Sequence, residues 1–115
     1  MNYNGKRFRS VSNSPNGEVD GETYFDYHQS ADVVWATYKG GGVHFGALIA
    51  ICDAYGRLTM RYQHINRDGQ FMTGKCVSVP EVLSDGRLRM HEKWQWTCGI
   101  RSCGASVIEE IQRAP

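Results

Sequence analysis

Short glycine-containing breaks recur along this chain at nearly regular intervals and leave eight segments between them. The breaks include Gly40-Gly41-Gly42, Asp68-Gly69 and Asp85-Gly86. Asp-Gly pairs supply the positive-φ residues that tight hairpin turns require. Apolar and polar residues alternate with a period of two inside the segments, which is typical of strands. We therefore predict eight strands, over residues 6–11, 21–29, 32–39, 43–53, 57–66, 70–83, 87–97 and 104–112.

The connections between these segments are too short for parallel strands. A parallel crossover needs about a dozen residues or more, so neighbouring strands must form antiparallel hairpins. An open meander of this length would leave two exposed edge strands and one uncovered face. Closure into a barrel removes the edges. The sequence predicts an all-β fold, an eight-stranded antiparallel up-and-down meander closed into a β-barrel. A two-sheet sandwich is the alternative.

Length and charge limit the domain organisation and the partners. A chain of 115 residues is expected to form a single domain over residues 1–115, since chains usually divide only beyond about 250 residues. The formal net charge is +1, whereas proteins that bind nucleic acid or an anionic membrane surface usually have an excess of basic residues. The longest apolar run, residues 46–52, is far shorter than the roughly 20 residues of a membrane-spanning helix. We expect neither partner; homo-oligomerisation stays open.

The cysteines and the N-terminal residues favour a cytoplasmic location. Residues 1–8 contain no apolar stretch of the kind found in secretory signals. Four cysteines without an export signal are expected to be thiols in a reducing compartment.

The alternation also indicates which side chains point into the barrel. In strand 87–97 an apolar face carries Leu88, Met90, Trp94 and Trp96, with Glu92 among them. An isolated buried carboxylate is costly, so Glu92 needs partners, a raised pKa or water. In the last strand the pattern does not decide which residues point inward, because both alternating sets are partly apolar.

An interior of this composition suits a small-molecule site. Eight strands leave room either for a filled core or for one small ligand. Aromatic walls with a few converging polar groups are typical of ligand pockets. We predict a non-enzymatic protein that binds a small, partly polar ligand, and the alternative is a closed core whose polar groups satisfy one another. The predicted ligand-binding residues are Tyr27, Tyr38, Tyr62, His64, Glu92 and Trp94.

The sequence carries no cofactor or metal motif. Cys98 and Cys103 resemble half of a zinc site, but a second pair at metal spacing is missing. Gly40-Gly41-Gly42 lacks the following Lys-Ser/Thr of a phosphate-binding loop. We therefore predict no metal and no cofactor.

Catalysis and protein interaction remain as alternative functions. Acid–base catalysis by Glu92 with His64 would use a buried carboxyl whose pKa is raised towards neutrality. Nucleophilic catalysis by Cys76 with His64 is less favoured, because the sequence indicates no residue that orients the histidine. An interaction module would instead dock an acidic partner on the outward stripe Arg87, Arg89, His91 and Lys93.

One string of residues resembles a known family. His91-Glu92-Lys93-Trp94-Gln95-Trp96-Thr97, taken with residues 60–64 and 72–74, is similar to small bacterial proteins carried in genomes under the name N-acetylglutamate synthase. The similarity extends from Asn4-Gly5-Lys6 to residues 108–111. The name implies an acetyltransferase, yet this chain lacks a Gly-rich loop that opens a helix. We interpret the label as a misnaming.

The predicted barrel is also similar, by fold analogy, to calycin-type barrels such as lipocalins, fatty-acid-binding proteins and avidins. The Gly-x-Trp opening of lipocalins is absent, since Gly5-Lys6-Arg7 contains no tryptophan. No helix-pair lid of the fatty-acid-binding type can be placed. The resemblance implies a ligand site in the barrel interior.

Overall fold

The structure, a computed structural model, describes residues 1–111 and consists of one closed antiparallel β-barrel. Each strand pairs with the next, and the last strand pairs with the first. This arrangement confirms the predicted all-β barrel and excludes the sandwich. Within the described residues, no helix could cross a membrane. The strands are β1 (Arg7–Asn13), β2 (Tyr24–Ser30), β3 (Val33–Gly40), β4 (Val43–Cys52), β5 (Leu58–Asn66), β6 (Phe71–Val82), β7 (Leu88–Trp96) and β8 (Cys103–Glu110).

The predicted strands agree with the observed ones to within a few residues, because the glycine breaks are real turns. Gly69 and Gly86 adopt φ values of 77° and 88°, the left-handed conformation that glycine favours. Pro80 lies in β6 beyond the last pairing with β5, Ser78 with Leu58, so it costs that ladder no hydrogen bond. The predicted end of the last strand at residue 112 falls outside the described residues.

The alternation assigned the barrel faces correctly. On β7, Leu88, Met90, Trp94 and Trp96 are buried and Glu92 of the same row is half-buried, whereas His91 and Lys93 of the opposite row are exposed. The open question of β8 is settled by burial, since its inward-facing residues include the buried pair Ser106 and Ile108.

The two ends of the barrel are closed differently. At one end the N-terminal segment inserts Tyr3, whose hydroxyl donates to the carbonyl of Gly56. Tyr3 is fully buried there and packs near Tyr27. At the other end, the loop of residues 14–23 between β1 and β2 folds over the strand termini. The first end is therefore filled with side chains, and the open space lies under the loop.

Three inward-facing glycines accept an aromatic ring from the neighbouring strand of the same hairpin. The cross-strand pairs are Tyr38 with Gly46, Tyr62 with Gly74, and Trp94 with Gly104. A β-carbon at these glycines would lie 2.5, 2.1 and 2.4 Å from the nearest ring atom. The rings therefore lie against the sheet, in the space that a larger residue would occupy.

Candidate functional site

A cavity lies inside the barrel beneath the loop of residues 14–23. Strands β1, β2, β3, β5, β6, β7 and β8 all contribute lining residues, and the loop supplies Gly17, Glu18 and Val19. The cavity volume is about 50 Å³. A site for a single buried water needs roughly 10–15 Å³. The cavity can therefore hold several waters or a small organic group.

Aromatic rings form a continuous wall around much of this cavity. Ring centroids are separated by 5.4–5.9 Å in the pairs Tyr38–His64, His64–Trp96, Trp94–Trp96 and Tyr62–Trp96. All four pairs are tilted or edge-to-face, the arrangement that the charge distribution of aromatic rings favours. The wall is therefore fixed by ring–ring packing as well as by the glycines beneath three of its members.

His64 joins the closing loop to the barrel. Its Nε2 lies 2.7 Å from Glu18 Oε1 and its Nδ1 lies 2.9 Å from the Tyr38 hydroxyl oxygen. A neutral imidazole satisfies both contacts, with Nε2–H donating to Glu18 and Nδ1 accepting from Tyr38. Asn66 Nδ2 donates to the second oxygen of Glu18 at 2.9 Å. Two inward-facing residues of β5 therefore hold the carboxylate of Glu18, one at each oxygen.

The two tryptophans are anchored at the same end by their indole N–H groups. Trp94 Nε1 donates to Asn13 Oδ1 at 3.0 Å, and Trp96 Nε1 donates to the carbonyl of Asn16 at 3.1 Å. These bonds satisfy the polar edge of each indole within the protein. The two indoles therefore present mainly carbon atoms to the cavity.

Three residues of β7 line the cavity, and Glu92 is the one that lies farthest from the loop of residues 14–23. Ser106 Oγ donates to its Oε1 at 3.2 Å, and Ser78 faces it from β6. Burial raises the pKa of Glu92 from 4.5 to about 7, although the neighbouring hydroxyls of Ser78 and Ser106 lower it in part. Around neutral pH this carboxyl is therefore present in both its protonated and its ionised form.

Buried hydroxyl groups near Glu92 lack hydrogen-bond partners. Ser78 is close enough to influence the pKa of Glu92, yet its Oγ reaches no partner of suitable geometry within residues 1–111. The hydroxyl of Tyr27 is likewise buried and unpartnered there, and its pKa is raised by burial and by the charge of Glu92. Buried polar groups are nearly always paired with protein, water or ligand. These hydroxyls therefore indicate hydrogen-bonding capacity that the described residues do not use.

The structure brings five of the six predicted site residues to one cavity: Tyr38, Tyr62, His64, Glu92 and Trp94. Tyr27 lies outside the lining and packs against Phe8, with ring centroids 4.8 Å apart. Alternation gives the face of a residue but not its height in the barrel, which explains the difference. The binding role of all six stays a prediction.

Residues outside the predicted set also shape the cavity. Glu18 and Asn13 come from or beside the β1–β2 loop, and Trp96 continues the inward row of β7. The alternation already placed Trp96 inside. No periodic signal marks Glu18, because its segment is a loop.

The catalytic alternatives find little geometric support among these residues. Both ring nitrogens of His64 are bound to Tyr38 and Glu18, so neither is directed at Glu92 or at Cys76. Burial raises the pKa of the Cys76 thiol well above its usual range, which opposes thiolate formation. Within residues 1–111, no three His, Cys, Asp or Glu side chains are grouped as metal ligands.

A closed eight-stranded up-and-down barrel with an aromatic cavity under one end defines a calycin-type barrel protein. The avidin-like protein family matches residues 1–111, and the chain belongs to that family. No curated protein and no solved structure matches the chain. The family confirms the predicted calycin-like resemblance, whereas the N-acetylglutamate synthase name receives no support from it.

Proposed function

We propose that this protein binds a small, partly polar molecule in the barrel interior and does not chemically transform it. The observation that carries the proposal is the cavity, whose aromatic wall surrounds the carboxyl of Glu92. Apolar walls with a few placed polar groups are the usual composition of a ligand pocket. Avidin-like proteins bind small, biotin-like ligands, which supports the same class of function.

The cavity walls are held in place before any ligand arrives. Tyr62 and Trp94 rest on glycines, and the indole of Trp94 is hydrogen-bonded to Asn13. A preformed wall reduces the entropy that must be lost when a ligand binds. This supports a binding site over a merely loosely packed core.

The proposed function excludes catalysis, because the side chains that could act as a base or a nucleophile are bonded to other residues or buried. His64 is occupied by Glu18 and Tyr38, and the Cys76 thiol is buried. Glu92 has a pKa in the range suited to proton transfer, but the protein group that donates to it is the hydroxyl of Ser106. A carboxyl group that only binds a ligand needs no catalytic partner.

The proposal includes a reducing, cytoplasmic environment and association between copies. All four cysteines are free thiols, as expected in such a compartment.

The outer faces of β3 and β4 expose Val33, Trp35, Ile49 and Ile51, with Ile49 at 65% exposure. Apolar surface of this kind favours association. Native mass spectrometry of protein purified without denaturation would report both oligomeric state and retained ligand.

The binding site itself is tested by a matched pair of substitutions on β6. Cys76 lines the cavity and its neighbour Val77 faces outward. Cys76→Phe should fill the cavity, whereas Val77→Phe adds the same ring outside it. A library of small molecules that includes biotin would be screened by ligand-observed NMR against wild type and both variants.

We expect ligands that bind wild type and Val77→Phe but not Cys76→Phe. Cys76→Met provides a milder filling if the phenylalanine variant does not fold. Equal binding to all variants, or no binding to wild type together with an empty native mass spectrum, would overturn the proposal.

A further inference from the structure

We infer that the cavity selects a protonated primary amine on a short carbon chain, with its ammonium group at Glu92. This inference rests on the proposed function, since it names the class of ligand for that same site. It depends on the charge of the lining, on unused hydrogen-bond acceptors and on the aromatic wall.

The charged groups of the lining are acidic. Glu18 and Glu92 contribute two carboxyl groups, and His64 is the single imidazole. No lysine or arginine is among the lining residues in the described part of the chain. An anionic ligand group would therefore meet like charge without a compensating cation. A cationic group would instead supply the partner that Glu92 lacks.

The surroundings of Glu92 match the three N–H donors of a primary ammonium. The carboxylate offers two oxygens, of which Oε1 accepts from Ser106. Ser106 lines the cavity with Glu92, and while its Oγ donates to Oε1 it keeps lone pairs that accept a further hydrogen bond. An ammonium in the cavity would donate to the second oxygen of Glu92 and to Ser106 Oγ. A hydroxyl ligand could pair with Ser106 but could not neutralise the carboxylate.

Aromatic rings complete the recognition. Trp94, Trp96 and Tyr62 all line the cavity with Glu92. Tryptophan and tyrosine faces attract cations, and the attraction grows when the cation is removed from water. The same rings bury the carbon chain of the amine. The volume of about 50 Å³ restricts that chain to a few atoms beyond the nitrogen.

Binding of such a cation has a measurable consequence for protons. Because burial raises the pKa of Glu92 to about 7, part of the protein carries a protonated carboxyl at pH 6.5. An ammonium ligand stabilises the ionised form, so the proton leaves Glu92 for the buffer as the complex forms. A neutral ligand would not require this release.

The experiment compares three probes of one size: n-butylamine, 1-butanol and butyrate. Isothermal titration calorimetry at pH 6.5 in two buffers of different ionisation enthalpy gives affinity and proton release together. We expect n-butylamine to bind at least about tenfold more tightly than either other probe, with proton release to the buffer. Glu92→Gln should reduce the affinity for n-butylamine by about tenfold or more and abolish the proton release.

The control substitution is Asp32→Asn, which removes a carboxylate in the β2–β3 turn at the opposite end of the barrel. It should leave n-butylamine binding unchanged. Equal affinity for n-butylamine and 1-butanol, or equal binding by wild type and Glu92→Gln, would overturn the assignment of an amine.

Those outcomes are distinct from failure of the proposed function. If library compounds that are neutral or anionic bind wild type and are lost from Cys76→Phe, the cavity is a ligand site and only the amine assignment is wrong. If no probe and no library compound binds, both proposals fail.

Discussion

The ring of Tyr62 occupies the space above Gly74 in which a side chain would begin. A β-carbon at residue 74 would lie 2.1 Å from Cζ of Tyr62 and 2.2 Å from its hydroxyl oxygen. The two residues face each other across the β5–β6 ladder. The absence of a side chain at 74 thus sets the position of one wall of the cavity.

Gly74→Ala should displace the Tyr62 ring and destabilise the protein by about 1–3 kcal/mol, the usual cost of overpacking. Chemical denaturation measures this loss. Gly21→Ala is the matched control, since nothing lies within 4 Å of a β-carbon there. Its effect should stay within about 0.5 kcal/mol. Equal unfolding free energies for the two variants would show that Tyr62 is not seated on Gly74.

Glu92 should make the protein less stable as the pH rises. Its pKa is 4.5 in the unfolded chain and about 7 in the folded protein, so the folded state binds more protons between those values. Stability therefore decreases from about pH 4.5 to about pH 7 and then levels off. Glu92→Gln removes this dependence and should be the more stable protein at pH 8, by up to roughly 3 kcal/mol.

The measurement is the difference in unfolding free energy between wild type and Glu92→Gln across pH 4–8. Taking the difference cancels the contribution of the other titrating groups. Gly21→Ala, which changes no titratable group, serves as the control and should give a constant difference over the same range. A flat profile for Glu92→Gln as well would mean that the carboxyl of Glu92 is well solvated.

Glu18 should control the stability of the closing loop more than that of the barrel. Glu18→Ala removes the acceptors of His64 Nε2 and Asn66 Nδ2 and leaves the Nε2–H of a buried imidazole without an acceptor. We expect a loss of about 1–3 kcal/mol and faster amide hydrogen exchange in residues 17–20. Glu22→Ala, an exposed residue of the same loop, should change neither. Unchanged exchange in Glu18→Ala would contradict this role.

The thiols should react in the order of their exposure. Cys103 is exposed and Cys76 is buried, and burial also raises the pKa of the Cys76 thiol. A thiol reagent followed by mass spectrometry should label Cys103 in the native protein and label Cys76 only in denaturant. Rapid native labelling of Cys76 would indicate that the barrel opens far more readily than its packing implies.

Most of the barrel could be predicted from the sequence because its signals are local. Turn glycines such as Gly69 mark the strand ends, and alternation on β7 places Trp94 and Glu92 inside. These features depend on the conformation of a residue and its near neighbours, so they are readable without the fold.

The loop contribution to the cavity could not be predicted in the same way. Glu18 reaches His64 from 46 positions away along the chain, and nothing in its own segment indicates that contact. The position of each inward residue along the barrel axis also could not be predicted, because it depends on the stagger of strands around the whole barrel. Tyr27 and Tyr38 share an inward orientation, yet only Tyr38 borders the cavity.

The aromatic rings that rest on glycines have a consequence for the order of folding. Each ring and its glycine belong to a single hairpin, so both can meet with little loss of loop entropy. The seam between β1 and β8 instead joins distant parts of the chain, as in the pairing of Phe8 with Glu110. The walls can therefore assemble one hairpin at a time, while an enclosed chamber exists only after the last strand has found the first.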